Sequence, residues 1–255
     1  MSSRHVHLVF DTKIGGTKPV TVVDNGLKCP FCCREELEGI LAVDGPILLV
    51  ANKYPVLRDT FQTVLIETDD CTSELSLYPK DHLYRVIRFG TEKWLDMIAG
   101  GEFASVLFFK NHGPSSGGTI RHPHMQIIGL RHLDYTANIP PASLEGIVIS
   151  RDGGVELAIA DKPLVGFVEL NLKLADLGHL DRLADYLQIC AHYFLHHFNR
   201  HCNSYNIFFY HIGGQITAKV MPRFVTSPIY VGYGIPQLST RIPDVAADLK
   251  RIYGL

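Results

Sequence analysis

A chain of 255 residues is long enough for one large domain or two small ones, with a core of ordinary size. Apolar residues at 46% and charged residues at 20% exclude a disordered or low-complexity chain, and a net charge of −2 argues against binding nucleic acid or a membrane surface through bulk electrostatics. Thirteen His and six Cys against a single Trp form the imbalance to be explained.

The run MSSRHVHLVFDTK has no apolar stretch of signal-peptide length, because Asp11 and Lys13 interrupt it. Nowhere do about eighteen apolar residues run together, so no membrane span is expected. A cytoplasmic protein without membrane or nucleic-acid partners is the expectation.

Along the chain, residues 47–51 and 62–67 read as strands and 74–78 as a short third. Residues 81–99 place Leu83, Val86, Ile87, Trp94, Leu95 and Ile98 at mainly helical spacing, stopped by Gly100-Gly101. Two strands follow, at 105–109 and 124–130, around a Gly-rich loop. Pro140-Pro141 marks a junction near 135–145. Beyond it come a strand at 165–174, a helix from about 180 to 201, and a hairpin of 205–210 and 216–221 turned at Gly213-Gly214. The tail, with Pro222, Pro228, Pro236 and Pro243, reads as an irregular cover. Helix, strand, turn, strand occurs twice, which suggests a degenerate duplication into residues 1–138 and 139–255. The predicted class is α+β, each half an antiparallel sheet with a helix packed on one face.

Three motifs carry candidate chemistry. The first runs from Asn111 to Gln126, where the small residues Ser115-Ser116-Gly117-Gly118 let backbone N–H groups approach phosphate oxygens unobstructed. It is no Walker loop, since the Gly-Lys-[Ser/Thr] end is missing and a strand follows. Alternation along that strand points His124 and Gln126 the same way, as a nucleophile on phosphorus and an amide beside it. The plainer reading is a Gly-rich hairpin with two surface histidines. The second motif, Cys29-Pro30-Phe31-Cys32, is a zinc half-site. With no second C-x-x-C, the other ligands are expected among His, Asp or Glu, the candidates being His82 and His122. Free thiols or a redox pair are the alternative, and Cys33 is either a substitute for Cys32 or a packing residue. The third is His192, His196, His197 and His201, where two i, i+4 pairs could chelate a metal. No third ligand is evident, and these read as residues of the polar helix face.

Together, Cys29 to Cys32, Asn52-Lys53-Tyr54-Pro55, the segment from Glu74 to His82, and Asn111 to Gln126 resemble the galactose-1-phosphate uridylyltransferase branch of the histidine-triad superfamily. They are most similar to a bacterial family of that branch with no assigned reaction. The resemblance implies a HIT-like fold and structural zinc on Cys29, Cys32, His82 and His122. It implies His124 as nucleophile with Gln126 beside it, phosphate contacts from Asn111, Gly117, Gly118, Thr119 and Gln126, and a nucleoside contact near Asn52. Gln126 in place of a third His implies transfer of a nucleoside monophosphate from a pyrophosphate-bridged nucleotide to a phosphate acceptor. The alternatives are a hydrolase and a silent nucleotide-binding module. A monomer or a homodimer fits. The sequence departs from the resemblance at Asp11-Thr12-Lys13-Ile14 where an Arg-rich stretch is usual, at Arg121, and at Ala218 to Arg223, which lacks histidines for a second metal.

Overall fold

The computed structural model describes residues 7–22 and 29–255, so the first six residues of the N-terminal run lie outside the described residues. In chain order the elements are α1 (Thr12–Gly15), β1 (Ile40–Asp44), β2 (Ile47–Ala51), β3 (Thr60–Ile66), α2 (Lys80–Ala99), β4 (Ser105–His112) and β5 (His124–Leu130). There follow β6 (Ile147–Asp152), β7 (Val155–Ile159), β8 (Gly166–Phe167), β9 (Leu170–Leu174), α3 (Leu180–Tyr193), β10 (Tyr205–Ile212), β11 (Gln215–Pro222), α4 (Pro228–Tyr233), β12 (Gln237–Leu238) and α5 (Ile242–Tyr253).

Ten of these strands form one sheet in the order β1-β2-β3-β5-β4-β10-β11-β9-β7-β6. The order reads the same from either edge about a β4–β10 seam, where Tyr205 to Phe209 pair antiparallel with His112 to Phe108. The two expected sheets are therefore five-stranded halves of a continuous sheet. Both α2 and α3 pack on the same face, because their apolar stripes meet the alternating inward residues of the strands. Leu83, Val86, Ile87 and Trp94 of α2 and Leu183, Leu187 and Cys190 of α3 join Phe108, Ile127, Ile207 and Val220 in a single core. The lone Trp is fully buried, its Nε1–H donating to the Val106 carbonyl at 3.0 Å. Truncating a side chain of that size in such a core costs about 3–5 kcal/mol.

Some expectations change. Residues 75–77 form a 3-10 turn rather than a strand, because the Glu74 carboxylate caps the Ser76 N–H at 3.0 Å. The 180–201 helix ends its α-helical part at Tyr193 and closes with a π turn, Phe194–Phe198. β1 and β6 went unread since they are edge strands with mixed exposure, β7 was missed as a short buried run, and the tail holds a true amphipathic helix in α5. No helix among the described residues is long and apolar enough to cross a membrane.

Candidate active site

The face opposite the helices opens at the ends of β2, β3 and β5. β5 leaves the Gly-rich loop at His124 and pairs on one side with β3, Ile66 opposite His124 and Val64 opposite Gln126. On its other side Gln126 pairs with Phe109 of β4. A strand flanked on both edges holds its register firmly, so His124 and Gln126 project together from a rigid floor. They line a cavity of about 500 Å³, a volume that suits a nucleotide. Phe31, Leu37, Val50 and Val64 supply an apolar wall, while Asn52, Lys53, Tyr54, Lys18, Glu36 and Glu38 supply polar groups.

His124 is almost wholly buried, and its Nδ1 lies 2.7 Å from the His122 carbonyl. A carbonyl only accepts, so Nδ1 carries the proton and Nε2 keeps its lone pair. Burial lowers the imidazole's pKa to about 4, against the opposing pull of that carbonyl, so the ring is neutral near pH 7. Phe31 meets the ring edge-on, centroids 5.5 Å apart. A neutral imidazole with a free Nε2 in an enclosed cavity is a competent nucleophile.

The loop above it, residues 113–123, is shaped by glycine. Gly113 has φ +83°, and a Cβ there would sit 2.1 Å from the Asn203 carbonyl oxygen. Gly117 has φ +87° with open space around it, so its conformation rather than crowding calls for glycine. Gly117, Gly118 and Thr119 line the cavity, and so does Asn52, whose Oδ1 accepts the Tyr54 N–H at 2.8 Å. Asn111 does not form the cavity wall; it lies beneath Gly118 and accepts a hydrogen bond from Asn206 at 2.7 Å. The sequence reading missed the segment at 17–22. It lies along the loop, the Thr21 and Val22 N–H groups donating to the Thr119 carbonyl at 2.8 and 3.1 Å, and it brings Lys18 and Pro19 to the cavity. Gly15-Gly16 ahead of a Lys-Pro pair was the available signal.

Beside the cavity, Cys29, Cys32, Cys71 and His122 bring their ligand atoms within 4.8 Å of one another. His122 Nδ1 lies 3.6 Å from both the Cys29 and Cys32 sulfurs, and its Nε2–H donates to the Thr68 carbonyl at 2.8 Å. A tetrahedral zinc about 2.3 Å from sulfur and about 2.0 Å from nitrogen would separate such atoms by about 3.5 Å, so the group fits that ion. Burial raises the pKa of Cys71 to about 12, with Cys29 adding like charge, while Cys29 is held near 6 against burial by the His122 contact and the Phe31 N–H.

His82 does not join this group, which corrects the expected ligand set. It sits in the first turn of α2, edge-on to Tyr78 with centroids 4.8 Å apart, and its Nε2 is buried without a hydrogen-bond partner. Cys71 stands in its place because β3 ends beside β5. The Glu67 N–H donates to the Pro123 carbonyl at 3.1 Å, which carries the turn at 68–71 next to His122. A lone Cys just after a strand that neighbours the His-Pro-His run was the missed signal. Cys33 is a packing residue, its Sγ 3.9 Å from the Cys29 carbonyl. On α3, His192 bonds the Tyr253 hydroxyl at 2.7 Å, and its ring lies 4.5 Å from that of His196.

The N-terminal domain of DUF4931, a domain of unknown function, matches residues 10–133, and its C-terminal domain matches residues 136–254. A crystal structure of a DUF4931 family protein from Bacillus cereus ATCC 10987 is 45% identical, with a TM-score of 0.78 over 85% of this chain and 100% of that one. The chain belongs to the DUF4931 family. More distant structures share its fold. A uridylyltransferase is 16% identical with a TM-score of 0.69, over 89% of this chain and 91% of that one. An ADP-glucose phosphorylase from Arabidopsis thaliana with bound ADP-glucose is 16% identical with a TM-score of 0.69, over 92% of each chain. The fold shared with these structures is the one the sequence resemblance implies. No curated protein sequence matches the chain.

Proposed function

We propose that this protein is a nucleotidyltransferase or phosphorylase that moves a nucleoside monophosphate from a pyrophosphate-bridged nucleotide to a phosphate acceptor. The observation that carries this reading is His124, whose Nδ1–H is committed to the His122 carbonyl so that Nε2 is the free nucleophile beside Gln126 and the 117–119 loop. Nε2 attacks the α-phosphorus, the bond from phosphorus to the bridging oxygen breaks, and the leaving phosphate takes the electron pair. An oxygen of the acceptor phosphate then attacks the same phosphorus, and the P–N bond returns its electrons to Nε2. Loop N–H groups and the Gln126 amide meet the charge that builds on the non-bridging oxygens. The distant structures support this reading through the substrates they are named for, a uridylyl donor and ADP-glucose.

Zinc on Cys29, Cys32, Cys71 and His122 would be structural, every position being filled by a protein ligand. His122 then has two duties: its ring faces the ion, and its carbonyl orients His124.

The test is an adduct search. The zinc-loaded protein is mixed with sugar nucleotides and dinucleoside polyphosphates, then analysed by intact mass and peptide mapping. A nucleoside monophosphate on His124, released by phosphate and not by water, is expected. No adduct with any donor, in the wild type or a Gln126→Ala variant that slows release, overturns the reading; release by water alone makes the protein a hydrolase.

A further inference from the structure

We propose that Asn206, oriented by Arg223, is a positioning residue for phosphate binding, through which the second half of the chain sets the loop and the Asn111 amide beside His124. This rests on the nucleotidyl-transfer reading above. Asn206 of β10 pairs directly with Asn111 of β4. The β4–β5 register ends at Lys110 opposite Met125, so Asn111 and His124 come next to each other in the same row. Cross-strand partners share a face, which places Asn206, Asn111 and His124 in line across three strands.

The polarity of this row follows from which groups can donate. A guanidinium only donates, so the Arg223 contact at 2.9 Å identifies Oδ1 of Asn206. Its Nδ2 therefore faces the other way, toward Asn111 Oδ1 at 2.7 Å and the Ser116 carbonyl at 3.1 Å. With its oxygen taken by Asn206, Asn111 has only its amide N–H groups left to donate, from a position beneath Gly118 and behind the cavity wall. Ser116 belongs to the loop, and Gly118 rests on Asn111, where an added Cβ would come within 3.2 Å of the Asn111 Cβ. Arg223 is itself fixed, its backbone N–H donating to the Ser204 carbonyl at 2.8 Å. Thus one buried amide sets both the loop and the direction of the next amide.

Asn206→Asp tests this with almost no change of shape. The carboxylate it introduces keeps Arg223 but offers only oxygen to Ser116 and Asn111, so the loop loses its tether at the Ser116 carbonyl and the Asn111 amide turns over beneath Gly118. Binding of inorganic pyrophosphate, measured by calorimetry on the zinc-loaded full chain, should weaken by about tenfold or more, with melting temperature and zinc content as in the wild type. With the donor that labels His124, KM should rise by more than kcat falls. Arg223→Lys, which still only donates, should stay within about threefold of wild type, whereas Arg223→Ala follows Asn206→Asp. Leu187→Ala, in the core of the same half, should lower the melting temperature and leave KM alone. Asn206→Asp with unchanged pyrophosphate affinity, or one that loses affinity only together with zinc and melting temperature, overturns the proposal. A wild type that binds pyrophosphate but forms no adduct overturns the functional reading and leaves the positioning role to be decided by the binding series. A wild type that binds neither overturns both.

Discussion

The two halves of the sheet repeat one strand order around the β4–β10 seam, yet they treat the face opposite the helices in contrary ways. In the first half, β4 and β5 are joined by the loop at 113–123, which stands over a cavity. In the second, β10 and β11 occupy the matching places and are joined by Gly213-Gly214 alone. Where β5 presents His124 and Gln126, β11 presents Lys219, alternate to the core residues Ala218 and Val220 and fully buried. Lys219 Nζ lies 2.6 Å from Glu169 and 2.8 Å from the Ser143 carbonyl, and Glu169 accepts the Leu164 and Val165 N–H groups at 2.9 and 2.7 Å. One half leaves its face open for a ligand; the other fills it with its own charges. The comparison shows that the strand framework does not make a site by itself, and that connection length and the residues beneath it decide.

The largest effect expected from breaking this contrast is at His124. His124→Ala should abolish the adduct and lower phosphate-dependent turnover by at least about a thousandfold, with an unchanged circular dichroism spectrum. Lys219→Met should leave adduct formation per folded molecule unchanged. Residual turnover in His124→Ala near the wild-type level would show that chemistry does not pass through this ring.

The metal group sharpens the same contrast, because it lies on the open half. Cys71→Ser should lose most of its zinc by elemental analysis and melt at lower temperature, while His82→Ala keeps its zinc. Bound zinc contributes about 10 kcal/mol or more in small zinc domains, so the change in melting should be large. Zinc loss in His82→Ala with retention in Cys71→Ser would restore the ligand set implied by the resemblance.

Much of the open half was legible in the sequence because its chemistry is local. Cys29 to Cys32 and the run from Asn111 to Gln126 each place several functional groups within one turn or one strand, and alternation suffices to aim His124 and Gln126 together. Cys71, Lys18 and Asn206 were missed, since each reaches the site through contacts between segments distant in sequence: the turn after β3 for Cys71, the docking of residues 17–22 on the loop for Lys18, and the β4–β10 pairing for Asn206. The same limit hid the seam: the periodicity of β4 and β10 shows two strands but not that they are neighbours. Lys219 and Arg223 could face an acceptor or the core as far as spacing goes. Their partners Glu169 and Asn206 decide the matter, and those lie 50 and 17 positions away.

On the filled half, Glu169→Gln should cost about 3–5 kcal/mol, because Lys219 is left buried without its counter-charge. Chemical denaturation checks this. Exchanging both, as Lys219→Met with Glu169→Gln, should recover part of that loss. An effect below about 1 kcal/mol for the single variant would mean that water reaches the pair and the face is not closed.

The smallest effect is expected at the seam itself, where His112 stacks on Tyr205 with centroids 4.8 Å apart. Burial, with the Lys110 ammonium adding to it, lowers the His112 pKa to about 4. Its unfolded value is about 6.5, so between these two pH values the unfolded chain binds a proton that the folded chain does not. Stability therefore falls as pH drops from about 6.5 toward 4, by up to about 1.4 kcal/mol per pH unit from this group. Above pH 7 the contribution is complete, and further increase in pH adds nothing. His112→Gln removes the titration while keeping a flat polar group at the seam. Unfolding free energies from chemical denaturation at pH 5 and pH 7 should differ less in His112→Gln than in the wild type, by about 2 kcal/mol at most. Equal pH dependence in the two proteins would mean that His112 protonates freely in the folded state, and hence that the seam between the halves admits water.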